Sequence, residues 1–244
     1  MRIIGWRPLL ALAGAFILPT AAPAQEGFLF RQPTVQLSLR FGQALPRVNG
    51  ELFDQMRNRL TLDKGDFAAE AFDAEILFRA TPMVDLGGGF QWAQSTAESE
   101  FRDFVYEDDS PIEQVTKLRR AAFNIVARAY PFGRGDALAQ YAWVPKRFTP
   151  FVGGGGGVLW YRLNQRGDFV DEDTFDIFDN EYESNGSALA GVLLAGADYW
   201  VTPAIAVTGE GRYTFAADEP GGDFQYSSID LSGMQFTAGI SFRF

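Results

Sequence analysis

The chain has 244 residues, enough for one large β domain or two smaller ones, and 31 acidic against 21 basic side chains give it a formal net charge of −10. It contains no cysteine, which excludes disulfides and thiolate chemistry, and no histidine, which removes the side chain best suited to proton transfer near neutrality. Phenylalanine (23) and glycine (26) are both heavily used, a pairing that favours strands and close backbone approach over helices.

Residues 1–24 read as a secretory signal peptide. Arg2 and Arg7 supply the basic start, Leu9 to Leu18 the apolar stretch, and Ala22-Pro23-Ala24 the small-residue cleavage pattern. The apolar stretch is too short for a spanning helix, and no cysteine follows it to carry a lipid anchor. The expected mature domain is 25–244. No later segment is long and apolar enough for a membrane helix, but a barrel strand needs only about ten alternating residues.

Alternation with period two then recurs along the chain. "TVQLSLRFG" (34–42) sets Val35, Leu37, Leu39 and Phe41 against Gln36, Ser38 and Arg40. Residues 49–60 interrupt with a helical pattern, Leu52, Phe53, Met56 and Leu60 on one face and Asn49 as the expected cap. "FDAEILFRA" (72–80) sets Phe72, Ile76 and Phe78 against Asp73, Glu75, Leu77 and Arg79. "VDLGGGFQWAQ" (84–94) sets Leu86, Phe90 and Trp92 against Asp85, and "AFNIVARAY" (122–130) sets Phe123 and Ile125 against Asn124 and Arg128. In "PFVGGGGGVLWYR" (150–162) Phe151, Leu159 and Tyr161 oppose Val152, Trp160 and Arg162. "ALAGVLLAGADYW" (188–200) is apolar on both faces. "AIAVTGEGRYTF" (204–215) sets Ile205, Val207, Tyr213 and Phe215 against Glu210 and Arg212, and "QFTAGISFRF" (235–244) sets Phe236, Ile240, Phe242 and Phe244 against Arg243.

Eight strands are joined by long connections at 43–66, 96–117, 164–186 and 216–228, and by tight turns at 81–83 and 201–203, with an intermediate connection at 131–149. Long connections on one rim and short ones on the other describe an all-β, eight-stranded antiparallel up-and-down transmembrane β-barrel with long extracellular loops. Its narrow lumen is to be filled by an ion-pair network of Arg40, Glu75, Arg79, Asp85, Arg128, Glu210, Arg212 and Arg243, with the apolar faces toward lipid. A soluble barrel would reverse the faces and crowd aromatics inside. Two aromatic belts are expected: Phe78, Phe151, Tyr199, Phe242 and Phe244 at the short-turn rim, and Phe41, Phe72, Trp92, Tyr161, Tyr213 and Phe215 at the other. The last strand is expected to close on the first near Val35–Phe41.

Together the signal peptide, the eight alternating segments, "PFVGGGGGVLWYR", "GEGRYTF" and the "GISFRF" ending resemble the OmpA/OmpX-type outer-membrane β-barrel family, barrel only, without the peptidoglycan-binding domain of OmpA. The resemblance implies residence in the cell outer membrane among lipids and lipopolysaccharide. It also implies that Ile240, Phe242 and Phe244 are read by the barrel-assembly machinery. Enzymes of such barrels typically use histidine as the general base; with none here, no catalytic residue is assigned and the chain is expected not to be an enzyme.

Other features carry less. "GGGGG" (153–157) lacks the Lys-Ser/Thr of a phosphate loop and reads as room for close approach or large inward neighbours. Asp171, Asp173, Asp176 and Asp179 place oxygen ligands that suit a divalent cation, but without the calcium-loop spacing they also fit a solvated acidic rim. No cofactor and no nucleic acid is implied. The expected role is non-enzymatic, in envelope structure or surface interaction through acidic loops. The alternative is a narrow channel or facilitator for small or hydrophobic solutes.

Overall fold

The structure, a computed structural model, describes residues 29–139, 141–171, 174–221, 223–224 and 228–244; the expected signal peptide, 1–24, lies outside them. In chain order the strands are β1 (Val35–Pro46), β2 (Ala69–Thr81), β3 (Val84–Val105), β4 (Pro111–Ala129), β5 (Gly135–Ala139), β6 (Ala142–Pro145), β7 (Phe148–Val170), β8 (Ile177–Trp200), β9 (Ile205–Phe215), β10 (Ala217–Asp218), β11 (Ile229–Asp230) and β12 (Gly233–Arg243). Eight of them close a ring in the order β1-β12-β9-β8-β7-β4-β3-β2, every pair antiparallel, while β5-β6 and β10-β11 form separate two-stranded pieces. β12 closes on β1 in the expected place, Leu37 opposite Phe242 and Phe41 opposite Ala238. Closure leaves no free edge within the ring, so the strands pair with one another all the way round.

The expected faces hold on most strands. Gln36, Ser38, Arg40, Asp73, Glu75, Asp85, Arg128, Glu210 and Arg212 are buried inside, while Phe41, Ile76, Phe78, Leu86, Phe90, Ile125, Leu189, Val207, Phe236 and Ile240 stand exposed outside. β7 departs from the expectation. Phe151 and Tyr161, assigned to the aromatic belts, are buried in the lumen with Leu159, and Val152 and Trp160 face outward instead. The two faces of this strand carry equally bulky apolar side chains, so alternation alone does not choose between them.

Strand length is the second departure. The segments 96–117 and 164–186, expected as long loops, are mostly strand: β3 and β4 pair as far as Val105 with Pro111, and β7 and β8 as far as Val170 with Ile177. β3 runs on from Ser95 to Val105 past its last pair with β2, and β8 from Ile177 to Ala190 before its first pair with β9. At roughly 3.3 Å per residue this four-stranded wall extends about 35 to 45 Å along its strands beyond the ring.

The wall's inner face is covered from the opposite side. Helix α1 (Glu51–Arg59) buries Leu52, Phe53 and Met56; it starts at Gly50, and the expected cap Asn49 instead accepts a hydrogen bond from Lys64 at 2.6 Å. These side chains join Leu118, Leu159, Tyr161, Leu163, Phe224, Ile229 and Leu231 in the largest apolar core of the molecule. The free edges of the wall are hooked as well. Thr61 exchanges two 2.9 Å hydrogen bonds with the backbone of Glu100, and Asp223 donates to the Glu183 carbonyl at 3.2 Å. No helix among the described residues is long and apolar enough to cross a membrane; the apolar outer band of the ring belongs to strands.

Candidate functional site: a lumen closed in three layers

The middle layer is electrostatic. β1 contributes Arg40, β2 Asp73 and Glu75, β4 Arg128, and β9 Glu210 and Arg212, six side chains that point inward because they share strand parity. Arg40 Nε donates to Asp73 Oδ1 at 2.9 Å, and its Nη1 lies 3.2 Å from Glu210. Arg128 bridges Glu75 and Glu210, the latter at 2.7 Å. Arg212 reaches Glu210 at 2.7 Å, Glu75 at 3.2 Å and Asp73 at 3.5 Å. Three guanidinium groups thus meet three carboxylates, all essentially without solvent exposure. Opposite charges in this number are what makes burial of any one of them tolerable. Gln91 donates to Asp73 at 3.1 Å and accepts from Asn124, extending the network to β3 and β4.

The glycine run of β7 shapes this layer. Inward Gly153, Gly155 and Gly157 pair with Arg128, Val126 and Asn124 of β4. A Cβ on Gly155 would stand 2.0 Å from the Ile125 carbonyl oxygen, and one on Gly157 1.9 Å from that of Phe123. Without side chains the two strands close tightly, and Arg128 lies over the Phe151 ring, 3.8 Å from its centroid. This agrees with the expectation of close approach and room for inward arginines.

A second layer seals the short-turn rim. Arg134, in the connection that carries β5 and β6, pairs with Asp85 at 2.5 Å and stacks over Tyr130 at 4.7 Å. Gln36 donates to Asp198 at 3.1 Å. Arg243 lies 3.5 Å over Trp200 and 5.1 Å from the Trp143 ring of the β5-β6 hairpin, and its Nε donates to the Pro203 carbonyl at 2.6 Å. The backbone of Trp143 is itself paired with Leu29, which pins the hairpin across the opening.

Three expected network members therefore sit elsewhere. Asp85 belongs to this lower layer. Arg243 is held by aromatic faces and a carbonyl in place of a carboxylate. Arg79, beside a register shift at the end of β2, is half-buried and donates to the Gln32 carbonyl at 2.9 Å. Asp73 and Arg134 were missed. Asp73 lay on the inward face with Glu75, and its partnership with Arg40 is visible once the two are directly opposed across β1 and β2. Arg134 lies in a connection without alternation and gave no signal.

The third layer is the apolar core under α1. Here the expected polar-in pattern fails: Ala97, Leu118, Ala122, Leu159, Leu163, Ala188 and Ala190 face inward and meet the helix in place of water.

At the wall's tips, Tyr106 donates through its hydroxyl to Asp168, which raises the phenol to about 12. Ser110 donates to Asp108 from its hydroxyl at 2.6 Å and its backbone at 3.2 Å, which holds that carboxyl below its ordinary value. Of the expected cation ligands, Asp173 lies outside the described residues. Asp171 caps a tight turn by accepting from the Thr174 amide at 2.9 Å, and Asp179 opposes Asp168 across β7 and β8. Among the described residues no group of three acidic side chains is gathered to hold a metal. Ile240 and Phe244 stand exposed on the outer face of β12, with Phe242 half-buried between them.

No protein-family model matches the chain, and no curated protein matches it by sequence. Among solved structures it is similar to the outer membrane protein OprG from Pseudomonas aeruginosa, with a TM-score of 0.51 and 12% identity over 87% of this chain and 96% of that one. It is also similar to Neisserial surface protein A (TM-score 0.46, 11% identity, 86% and 96% covered). A third is Ail, the attachment invasion locus protein of Yersinia pestis (TM-score 0.43, 11% identity, 86% and 99% covered). At these identities the likeness is one of fold: the chain has the fold of the eight-stranded outer-membrane β-barrels, as its OmpA/OmpX-like features imply.

Proposed function

We propose that this chain is a non-enzymatic, non-conducting barrel of the cell outer membrane that serves envelope structure or surface interaction through its long-loop end. One observation carries the reading: six fully buried charged groups interlock across the middle of the lumen, with a second plug below them and an apolar core above. An ion entering this path would have to displace a partner from each pair, and uncovering a buried charge is costly. The outward apolar band suits lipid, and the acidic wall is a surface for lipopolysaccharide, whose phosphates divalent cations can bridge to carboxylates. Ile240, Phe242 and Phe244 serve the assembly machinery in this reading. The missing histidine supports a role without proton-transfer catalysis.

Planar-bilayer recording of the purified barrel is the test. The expected result is an absence of stable conductance steps at neutral pH; large discrete openings of the unmutated protein would overturn the proposal.

A further inference from the structure

Between α1 and the inner face of the projecting wall lies a cleft of about 270 Å³. Its apolar sides are Met56 and Leu60 from the helix end and Phe101, Phe169, Phe178 and Tyr182 from the wall. The wall residues form an aromatic panel: Phe169 meets Tyr182 edge to face with centroids 4.6 Å apart and lies 6.2 Å from Phe178. The polar part is a pair of buried amides. Gln165 donates to the side-chain oxygen of Gln114, and Gln114 donates to the Asp168 carbonyl at 2.8 Å. The charged residues that line it, Arg59 and Asp223, are opposite in sign.

We infer that this cleft binds a small uncharged aromatic amphiphile, a ring system of one or two rings carrying a single hydroxyl or amide. The size sets the scale: an apolar cavity of about 150 Å³ already accepts benzene, so this one holds a larger ring system. Aromatic walls favour a flat apolar body in offset or edge contact. The buried amides offer hydrogen bonds but no charge, and the two charged residues of the lining, Arg59 and Asp223, oppose each other in sign, so a fully charged head would gain from one what it loses to the other while giving up its hydration. This deepens the surface-interaction reading and rests on its placing the wall outside the cell. Binding to the isolated barrel is measured apart from conductance, so failure of one is distinguishable from failure of the other.

The experiment titrates 2-naphthol, uncharged at neutral pH, into the full barrel in lipid nanodiscs, with empty nanodiscs as reference. Saturable one-site binding tighter than about 1 mM is expected, since a buried ring plus one hydrogen bond should exceed that threshold. Gln55→Trp fills the cleft from a half-exposed helix position and should weaken binding at least tenfold with an unchanged melting temperature. Phe178→Ala, at a partly exposed wall position, gives a second reading if the first variant fails to fold, with the same direction expected. The 2-naphthoate anion should bind at least tenfold more weakly than 2-naphthol. No saturable binding, equal binding by both variants, or equal binding of the anion would overturn the proposal.

Discussion

At the scale of single residues, burial makes some carboxylates far more consequential than others. Glu75 touches Arg40, Arg128 and Arg212, so Glu75→Ala strands positive charge in a dry lumen. Removing one member of a buried pair costs about 3–5 kcal/mol. Chemical denaturation of the refolded barrel should show a loss of that order, and Glu210→Ala should behave alike. Unchanged stability in both would remove the network from the account. Acid groups at the exposed tips behave differently. Tyr106 has its phenol raised from 10.0 to about 12 by donation to Asp168, so that contact is complete below the ordinary value and lost as pH climbs through about 12. A spectrophotometric titration of wild type minus Tyr106→Phe should isolate one phenol ionising near 12. The turn at Asp108 has the opposite sense: its carboxyl is lowered by Ser110, so its support is present above the ordinary range and lost in acid.

Among elements, β7 shows where sequence reading succeeds and stops. The glycine run was read as a place of close approach, and at Gly155 and Gly157 the neighbouring carbonyls would collide with any Cβ. Gly157→Ala should therefore lower the melting temperature of the barrel far more than Ala→Gly at outward Ala127, on the opposing strand; equal small effects would contradict the tight pairing. The same glycines hid the strand's parity, because Phe151 and Tyr161 on one side weigh no more than Val152 and Trp160 on the other. Alternation was decisive for β1, β2, β3, β4, β9 and β12, where one face is charged. It was silent on the wall, since Ala97 and Ser99 are buried on its inner face with side chains too small to mark that face, so a strand there reads as loop. Arg134 escaped for a related reason: a residue in a connection owes its position to tertiary contacts that no local period encodes.

For the molecule as a whole, the two rims are built on different chemistry. The short-turn rim is closed by guanidinium–aromatic stacking and a hairpin, the middle by paired charges, and the far half by apolar packing around a helix that the sequence placed correctly but could not orient. Redundant closure sharpens the conductance expectation. Trp143→Ala removes the hairpin's ring from Arg243 yet leaves the six-membered network intact, so it should remain silent in bilayers; a conducting variant would locate the barrier at the rim instead of the middle.

The distribution of charge along the chain has a consequence for how such a barrel comes into being. Arg40 and Arg128 on β1 and β4 are matched by Asp73 and Glu75 on β2, and β9 carries both Glu210 and Arg212. Asp85 on β3 meets Arg134 just beyond β4. Each of these sets is electrically neutral before the ring is complete. Asp198 on β8 accepts instead from the neutral Gln36 of β1, and Arg243, held by aromatic faces and a carbonyl, arrives only with β12. A nascent sheet that has gathered β1 to β4 can therefore enter an apolar medium with little uncompensated charge, and the last inward arginine settles against ring faces as the seam is zipped shut.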